Sequence, residues 1–346
     1  MNTTKKLMTL LLVMMALTAC HNDETDEPEG PDFPTVVTSD NLYLAVINNM
    51  DGGDLVLTAQ GDTIYQCAPN TMLERLIAEG SDWYAMFYDP EGSGIIKNGQ
   101  VIYKTTTETI YDLYIEDGNI YTLQDSCGEE LYKEWVYKNF ERIYTLPTEK
   151  FVSVNMDVEN GNVFLAAVHY ETAIYWHNGE FFDLPEVEGP IHYGFIDKEG
   201  DDLLVGIFED KNSKQGYWLN GTYTPLNAMH MTQAKLVGGK PYIIGERVTG
   251  QVGNVQQTTA IVVIDGQEQM LNGTRTRKLI HHGNDIYILV DGGKNSAKSR
   301  VYKNMSEIGL GYIKIYDETY RKKYGDSIFL AELQIRDIAY IETNQQ

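Results

Sequence analysis

Along most of the chain, apolar and aromatic positions come in runs of four to eight residues that alternate with polar ones. Gly, Asn and Asp punctuate the runs, a spacing that predicts short strands joined by tight turns. One run recurs with its turn attached: Ile95-Ile96-Lys97-Asn98-Gly99, Tyr175-Trp176-His177-Asn178-Gly179 and Tyr217-Trp218-Leu219-Asn220-Gly221 are three copies. The turn residues fall at 98, 139, 178, 220, 265 and 304, with gaps of 41, 39, 42, 45 and 39. Asn-Gly and Asp-Gly supply the positive φ angles that two-residue hairpins require, so each copy predicts a hairpin. A second run precedes each hairpin by about fifteen residues, with an aromatic residue or Leu at 43, 84, 121, 164, 204, 242, 287 and 329. A further strand stands before most of these, for example 109–115, 151–156 or 191–196. No stretch shows a helical period of useful length.

Four strands in about forty residues, repeated in tandem, predict an all-β fold, a β-propeller of four-stranded blades around an axis. A β-sandwich or solenoid is the alternative. The pattern resembles the kelch and related propellers of Bacteroidetes surface lipoproteins, over residues 33–342. It lacks the Gly-His and Trp-Asp signatures of WD repeats and the paired Gly of true kelch repeats, so the resemblance implies no named subfamily. Six complete units lie between Met72 and Leu310. The two end pieces then give seven or eight blades, eight if both are regular, with Thr35–Thr38 as the candidate strand closing the last blade.

The N-terminus reads as an address. Lys5 and Lys6 precede an apolar run, Leu7 to Leu17, that is too short to span a bilayer as a helix. Leu17-Thr18-Ala19-Cys20 resembles the bacterial lipobox. The resemblance implies a signal peptide over 1–19, acylation of Cys20, and attachment to the outer membrane through that lipid. Residues 20–32, rich in acid and Pro, predict a flexible tether; their acidic run resembles the Bacteroidetes signal for display on the cell surface.

Charge narrows the partners. Fifty acidic residues stand against 27 basic, a formal charge of −23, which disfavours nucleic acid. Of the two remaining cysteines, Cys67 and Cys127, each reads as a buried thiol, and their spacing carries no pairing information. No nucleophile elbow, zinc motif, P-loop or calcium-loop spacing is present, so the sequence predicts no cofactor and no metal. Asp-rich segments such as Asp51-Gly52-Gly53-Asp54 and Asp89-Pro90-Glu91 read as solvated turns. Tyr137, Trp176, Trp218 and Tyr302, two positions before their turns, are expected to fill the space between blades.

One positional signal points to a site. The first strand of each propeller blade lines the central channel, and the loops leading into it form one rim. His192, Tyr193, His230, Arg275, Arg277, Arg75, Tyr111 and Asn155 fall at or near such starts. Polar and aromatic groups converging on a concave mouth are where a ligand is expected. The sequence therefore predicts a lipid-anchored, non-enzymatic binding or scaffolding module, for a glycan or a protein partner. The alternative is an extracytoplasmic carbohydrate-active enzyme, a glycoside hydrolase or lyase, working at the same mouth. A cluster of His, Tyr and Arg there would favour the enzyme.

Overall fold

The computed structural model describes Pro34 and residues 36–342, apart from 48–52, 127–132, 148–151, 170–171, 189–192, 209–214, 228, 253–254, 293–297, 315–326 and 331–332. Residues 1–32, where the sequence predicts a signal peptide, the acylated Cys20 and a tether, lie outside these residues, as do Cys127 and His192. Val36–Gln346 forms one compact unit.

The hairpins close at the turns that the sequence marks. Asn98, Asn139, Asn178, Asn220 and Asn304 all adopt positive φ, between 47° and 51°. Each also ties its turn to the start of the second strand of its blade. Asn178 Oδ1 accepts the Val163 N–H at 2.9 Å, and its Nδ2 donates to Asn162 at 2.8 Å. Asn98 does the same with Trp83 and Asp82, Asn220 with Leu203 and Asp202, and Asn304 with Ile286 and Asp285. The two recurrent runs of the sequence are thus two halves of one latch. In the unit that starts at His230 the receiving residue is Pro241, which has no N–H to offer; there the turn residue is Asp265, not Asn.

Seven antiparallel sheets of four strands result, each a blade. Blades 2 to 7 are continuous in sequence and start at Met72, Glu108, Val152, Tyr193, His230 and Arg275. Blade 1 is composite: its strands Thr63–Gln66, Leu55–Thr58 and Leu42–Val46 are completed on the inside by the C-terminal strand Ile335–Tyr340. Of the seven or eight blades that the sequence allows, seven form. Residues 311–334 resemble the start of another repeat; among its described residues Tyr312–Lys314 pairs with Ser327–Phe329 as a two-stranded sheet. Closure runs opposite to the expectation. The N-terminal candidate makes a single parallel bridge, Val37 to Gly309, while the chain's C-terminus supplies the closing strand. No helix among the described residues is long and apolar enough to cross a membrane.

The apolar core lies between blades. Leu123 and Val136 of blade 3 pack on Met156, Leu165 and Trp176 of blade 4; Phe164 and Leu184 of blade 4 meet Ile196 and Trp218 of blade 5. Trp176 sits edge-on to Tyr144 of the preceding blade, with centroids 4.9 Å apart, and Tyr302 fills the junction of blades 6 and 7. Tyr137 is buried too, its hydroxyl bound to Glu108 of its own blade at 2.9 Å. Cys67 is a free buried thiol, its pKa pushed up to about 12 by burial and then by Asp54. Asp54 itself departs from the expectation of a solvated turn. It is buried and accepts the Leu73 N–H of blade 2 at 2.9 Å.

The latch makes a stability prediction. Asn178→Ala removes two hydrogen bonds and leaves the Val163 N–H without its acceptor, at a cost of about 1–3 kcal/mol. Asp265→Asn gains nothing comparable, because Pro241 has no N–H. Urea unfolding of the two variants beside the parent measures both; equal effects would remove the latch from the account.

Candidate functional site

The seven inner strands converge on the axis: Ile335–Tyr340, Met72–Glu79, Glu108–Glu116, Val152–Glu159, Tyr193–Glu199, His230–Val237 and Arg275–His282. Their inner edges have no further strand to pair with, so side chains supply the hydrogen bonds between blades. Asp337 of blade 1 accepts the Leu76 N–H of blade 2 at 2.8 Å. Asp112 accepts from Met156 at 2.7 Å, Asn155 from Ile196 at 3.1 Å, Asp197 from Leu236 at 2.6 Å and Gln233 from Leu279 at 2.7 Å. The other two junctions are ion pairs, Arg75 with Asp112 and Lys278 with Asp337, the latter at 3.0 Å. All seven junctions are thus closed by a polar contact at the channel wall.

Buried charge of both signs follows from this arrangement. Burial lowers the pKa of Arg75 and of Lys278, in each case against the pull of Asp337. Burial also works against the Lys235 ammonium, but the Asp197 and Asp157 carboxylates outweigh it and raise its pKa. Asp157 is pushed up to about 7, first by burial and then by the Asp197 carboxylate; Lys235, the Lys198 N–H and Tyr114 pull the other way.

At one end of the channel, six of the seven inner strands carry a register shift against their neighbour, blade 5 being the exception. A bulge puts one extra residue out of the regular alternation and re-aims it. The residues at these bulges include Glu74, Tyr111, Thr232, Arg277 and Arg336, and all five line one cavity of about 450 Å³ at the channel mouth. Arg75, Asn155, His230, Arg275 and Lys278 line it too, over an apolar lining that includes Phe195 and Met231. The cations are paired with carboxylates: Arg277 with Asp291, Arg336 with Asp54 at 3.2 Å and with Glu74, itself in the cavity wall, at 3.5 Å. Glu246 lies 3.6 Å from His230 Nδ1. Asp291 is raised by burial, against Arg277 and Arg275. Arg275 is exposed.

Of the residues that the sequence singled out, Arg75, Tyr111, Asn155, His230, Arg275 and Arg277 come together in this cavity. Tyr193 begins the inner strand of blade 5, its backbone paired with Phe208; its side chain, like all of His192, lies outside the description. Sequence reading missed Arg336 and Lys278. Lys278 directly follows Arg277 and shares its strand start. Arg336 becomes visible only once Ile335–Tyr340 is known to be an inner strand. Among the described residues no cluster of three or more His, Cys, Asp or Glu side chains is arranged to hold a metal ion.

No protein-family model and no curated protein matches the chain. Solved propellers are similar in structure. The β-propeller domain of the trilobed protease from Pyrococcus furiosus aligns with TM-score 0.49 and 13% identity, over 73% of this chain and 85% of that one. An acylaminoacyl peptidase from Pyrococcus horikoshii aligns with TM-score 0.49 and 12% identity, over 80% and 48%. A polysaccharide lyase, an ulvan lyase, aligns with TM-score 0.43 and 12% identity, over 79% and 90%. Likeness at this level concerns the fold alone. The strand order places the chain among seven-bladed β-propellers.

The raised Asp157 sets a pH dependence with a definite sign. Its native pKa, about 7, lies above the unfolded value near 3.8, so its contribution to stability is complete below pH 4. That contribution is lost as pH rises towards 7, by at most about 1.4 kcal/mol per pH unit. Asp157→Asn mimics the neutral carboxyl, so the variant gains on the parent between pH 4 and 7 and the difference levels off above. Denaturant unfolding across that range checks this; a difference independent of pH would show that Asp157 is ionised throughout.

Proposed function

We propose that this chain is a lipid-anchored surface protein whose propeller binds a glycan at the bulged mouth of its channel, without chemistry of its own. One observation carries the reading. In a chain of charge −23, four of the eight arginines, 75, 275, 277 and 336, line a single cavity. The apolar lining beneath them and the polar rim suit an amphipathic ring substituted with hydroxyls. The lipid anchor rests on the resemblance of residues 17–20 to a lipobox; metabolic labelling with palmitate should mark the parent and not Cys20→Ser.

A glycan-array screen of the detergent-solubilised full chain tests the site. Arg277→Ala and Arg275→Ala should each weaken binding at least ten-fold, about 1.4 kcal/mol or more. Arg275 is the cleaner probe, because truncating Arg277 also breaks its ion pair with Asp291. Retention of full affinity by both variants, or no binding to any glycan, overturns the reading.

A second reading draws support from the same cavity. His230, Tyr111 and the arginines stand at one mouth and are not scattered round the rim, the arrangement expected of a carbohydrate-active enzyme. An imidazole and a phenol are candidate proton-transfer groups beside guanidinium groups that stabilise negative charge. Incubation of a bound glycan with the chain, followed by product analysis, separates the two readings: turnover lost in His230→Ala or Tyr111→Phe makes it an enzyme.

A further inference from the structure

The second and third strands of blade 6 are far longer than their counterparts, Lys240–Val252 and Val255–Ile264 against seven or eight residues and five or six in most other blades. The inner strand of this blade starts at His230, paired with Glu246. The outer strand reaches only Met270, paired with Ile261. Residues 247–252 and 255–259 therefore continue as a two-stranded ribbon with no neighbouring strand in the blade, paired from Arg247↔Thr259 to Val252↔Val255. Six residues of strand extend it by about 20 Å. It leaves the blade just past the level of His230, which lines the mouth cavity. Its base is fixed by a two-pronged ion pair from Arg247 to Glu268, with both contacts at 2.6 Å.

The composition of the ribbon is as unusual as its length. Between Arg247 and Asn284 there are two acidic residues, Asp265 and Glu268, against Arg247, Arg275, Arg277 and Lys278, in a chain where acids outnumber bases 50 to 27. The ribbon itself holds no carboxylate, and it exposes Thr249, Gln251, Gln256 and Gln257. Amide and hydroxyl groups both donate and accept, as sugar hydroxyls do, whereas the mouth offers guanidinium forks matched to carboxylate or sulfate.

We propose that the ligand is an acidic polysaccharide, bearing carboxylate or sulfate groups, that seats one acidic unit in the mouth and runs on along the ribbon of blade 6. This rests on the reading of the mouth as the binding site and adds the class and length of what it takes. The continuity of ribbon and cavity argues for a chain longer than the cavity. The missing carboxylates argue for a negative one, and the Gln and Thr side chains favour a glycan over an acidic peptide.

The test uses the full chain in detergent with polygalacturonate, digalacturonate, dextran sulfate, dextran and poly-glutamate, measured by calorimetry. In one variant an Asn-Gly turn replaces residues 248–258, which lie outside the four-stranded sheet. In a second, Gln251, Gln256 and Gln257 become Ala, so that the result does not depend on the shortened chain folding. Both should bind polygalacturonate or dextran sulfate at least ten-fold more weakly than the parent and digalacturonate equally well; whichever polymer the parent prefers identifies carboxylate or sulfate. Arg275→Ala should weaken all the anionic sugars. Polymer binding lost in Arg275→Ala but intact in both ribbon variants overturns this inference and leaves the mouth as the site. Equal binding of dextran or poly-glutamate, or no binding of either anionic polymer, overturns the ligand class. Indifference to Arg275→Ala and to both ribbon variants removes mouth and ribbon together.

Discussion

Seven sheets arranged round an axis leave seven inner strand edges whose N–H groups face a neighbour too splayed to pair with them. An unpaired buried amide costs about as much as a lost hydrogen bond, so each junction needs a polar side chain. Asp337, Asp112, Asn155, Asp157, Asp197 and Gln233 fill that role. The solution creates its own problem, because a ring of buried carboxylates repels itself. Arg75, Lys235 and Lys278 offset the charge, and the Asp157 carboxyl is left with a pKa raised to about 7. The channel is polar because the fold requires it, before any ligand is considered.

This separates what belongs to the scaffold from what is available for binding. Asp112, Asp197 and Asp337 are committed to backbone amides and cations of the wall. The bulges sit one residue earlier, where the inner strands reach the mouth, and they turn Glu74, Tyr111, Thr232, Arg277 and Arg336 out of the alternation that the wall uses. A propeller can thus vary its mouth while keeping its wall, which is how one ring hosts unrelated functions.

The parts of this design that were legible in the sequence were the local ones. Asn178 and its equivalents announce themselves because a two-residue hairpin needs positive φ, and Asp82, Asn162 or Asp285 recur because the latch needs an acceptor at a fixed distance in sequence. The inter-blade acceptors were invisible: any of fifty carboxylates could have held the wall, and the amides they serve lie about forty residues away. A further row escaped notice for the same reason. Glu79, Glu116, Glu159 and Glu199, at the far end of four inner strands, each accept turn amides of the next blade. Ring closure joins residues nearly three hundred apart, so the local period could count repeats but not say which end supplied the last strand. That error hid Arg336, which belongs to the closing strand, while Arg75, Tyr111, Asn155, His230 and Arg277 were found from strand starts alone.

The electrostatics of the mouth are layered. Asp112, Asp291 and Asp54 stand behind Arg75, Arg277 and Arg336 and hold them in place. A flexible arginine on an acidic surface would collapse onto the nearest carboxylate and present little to a ligand. Each guanidinium has five N–H groups in a fixed fork, more than one carboxylate takes up, so donors remain for the cavity even though Glu74, beside Arg336, lines it too. The rest of the surface carries a large negative excess and repels anions at long range, an effect that salt screens beyond about a Debye length. Selection for an anionic ligand would then operate mainly at contact distance, through geometry, and would favour a polymer already held at the surface over small diffusing anions.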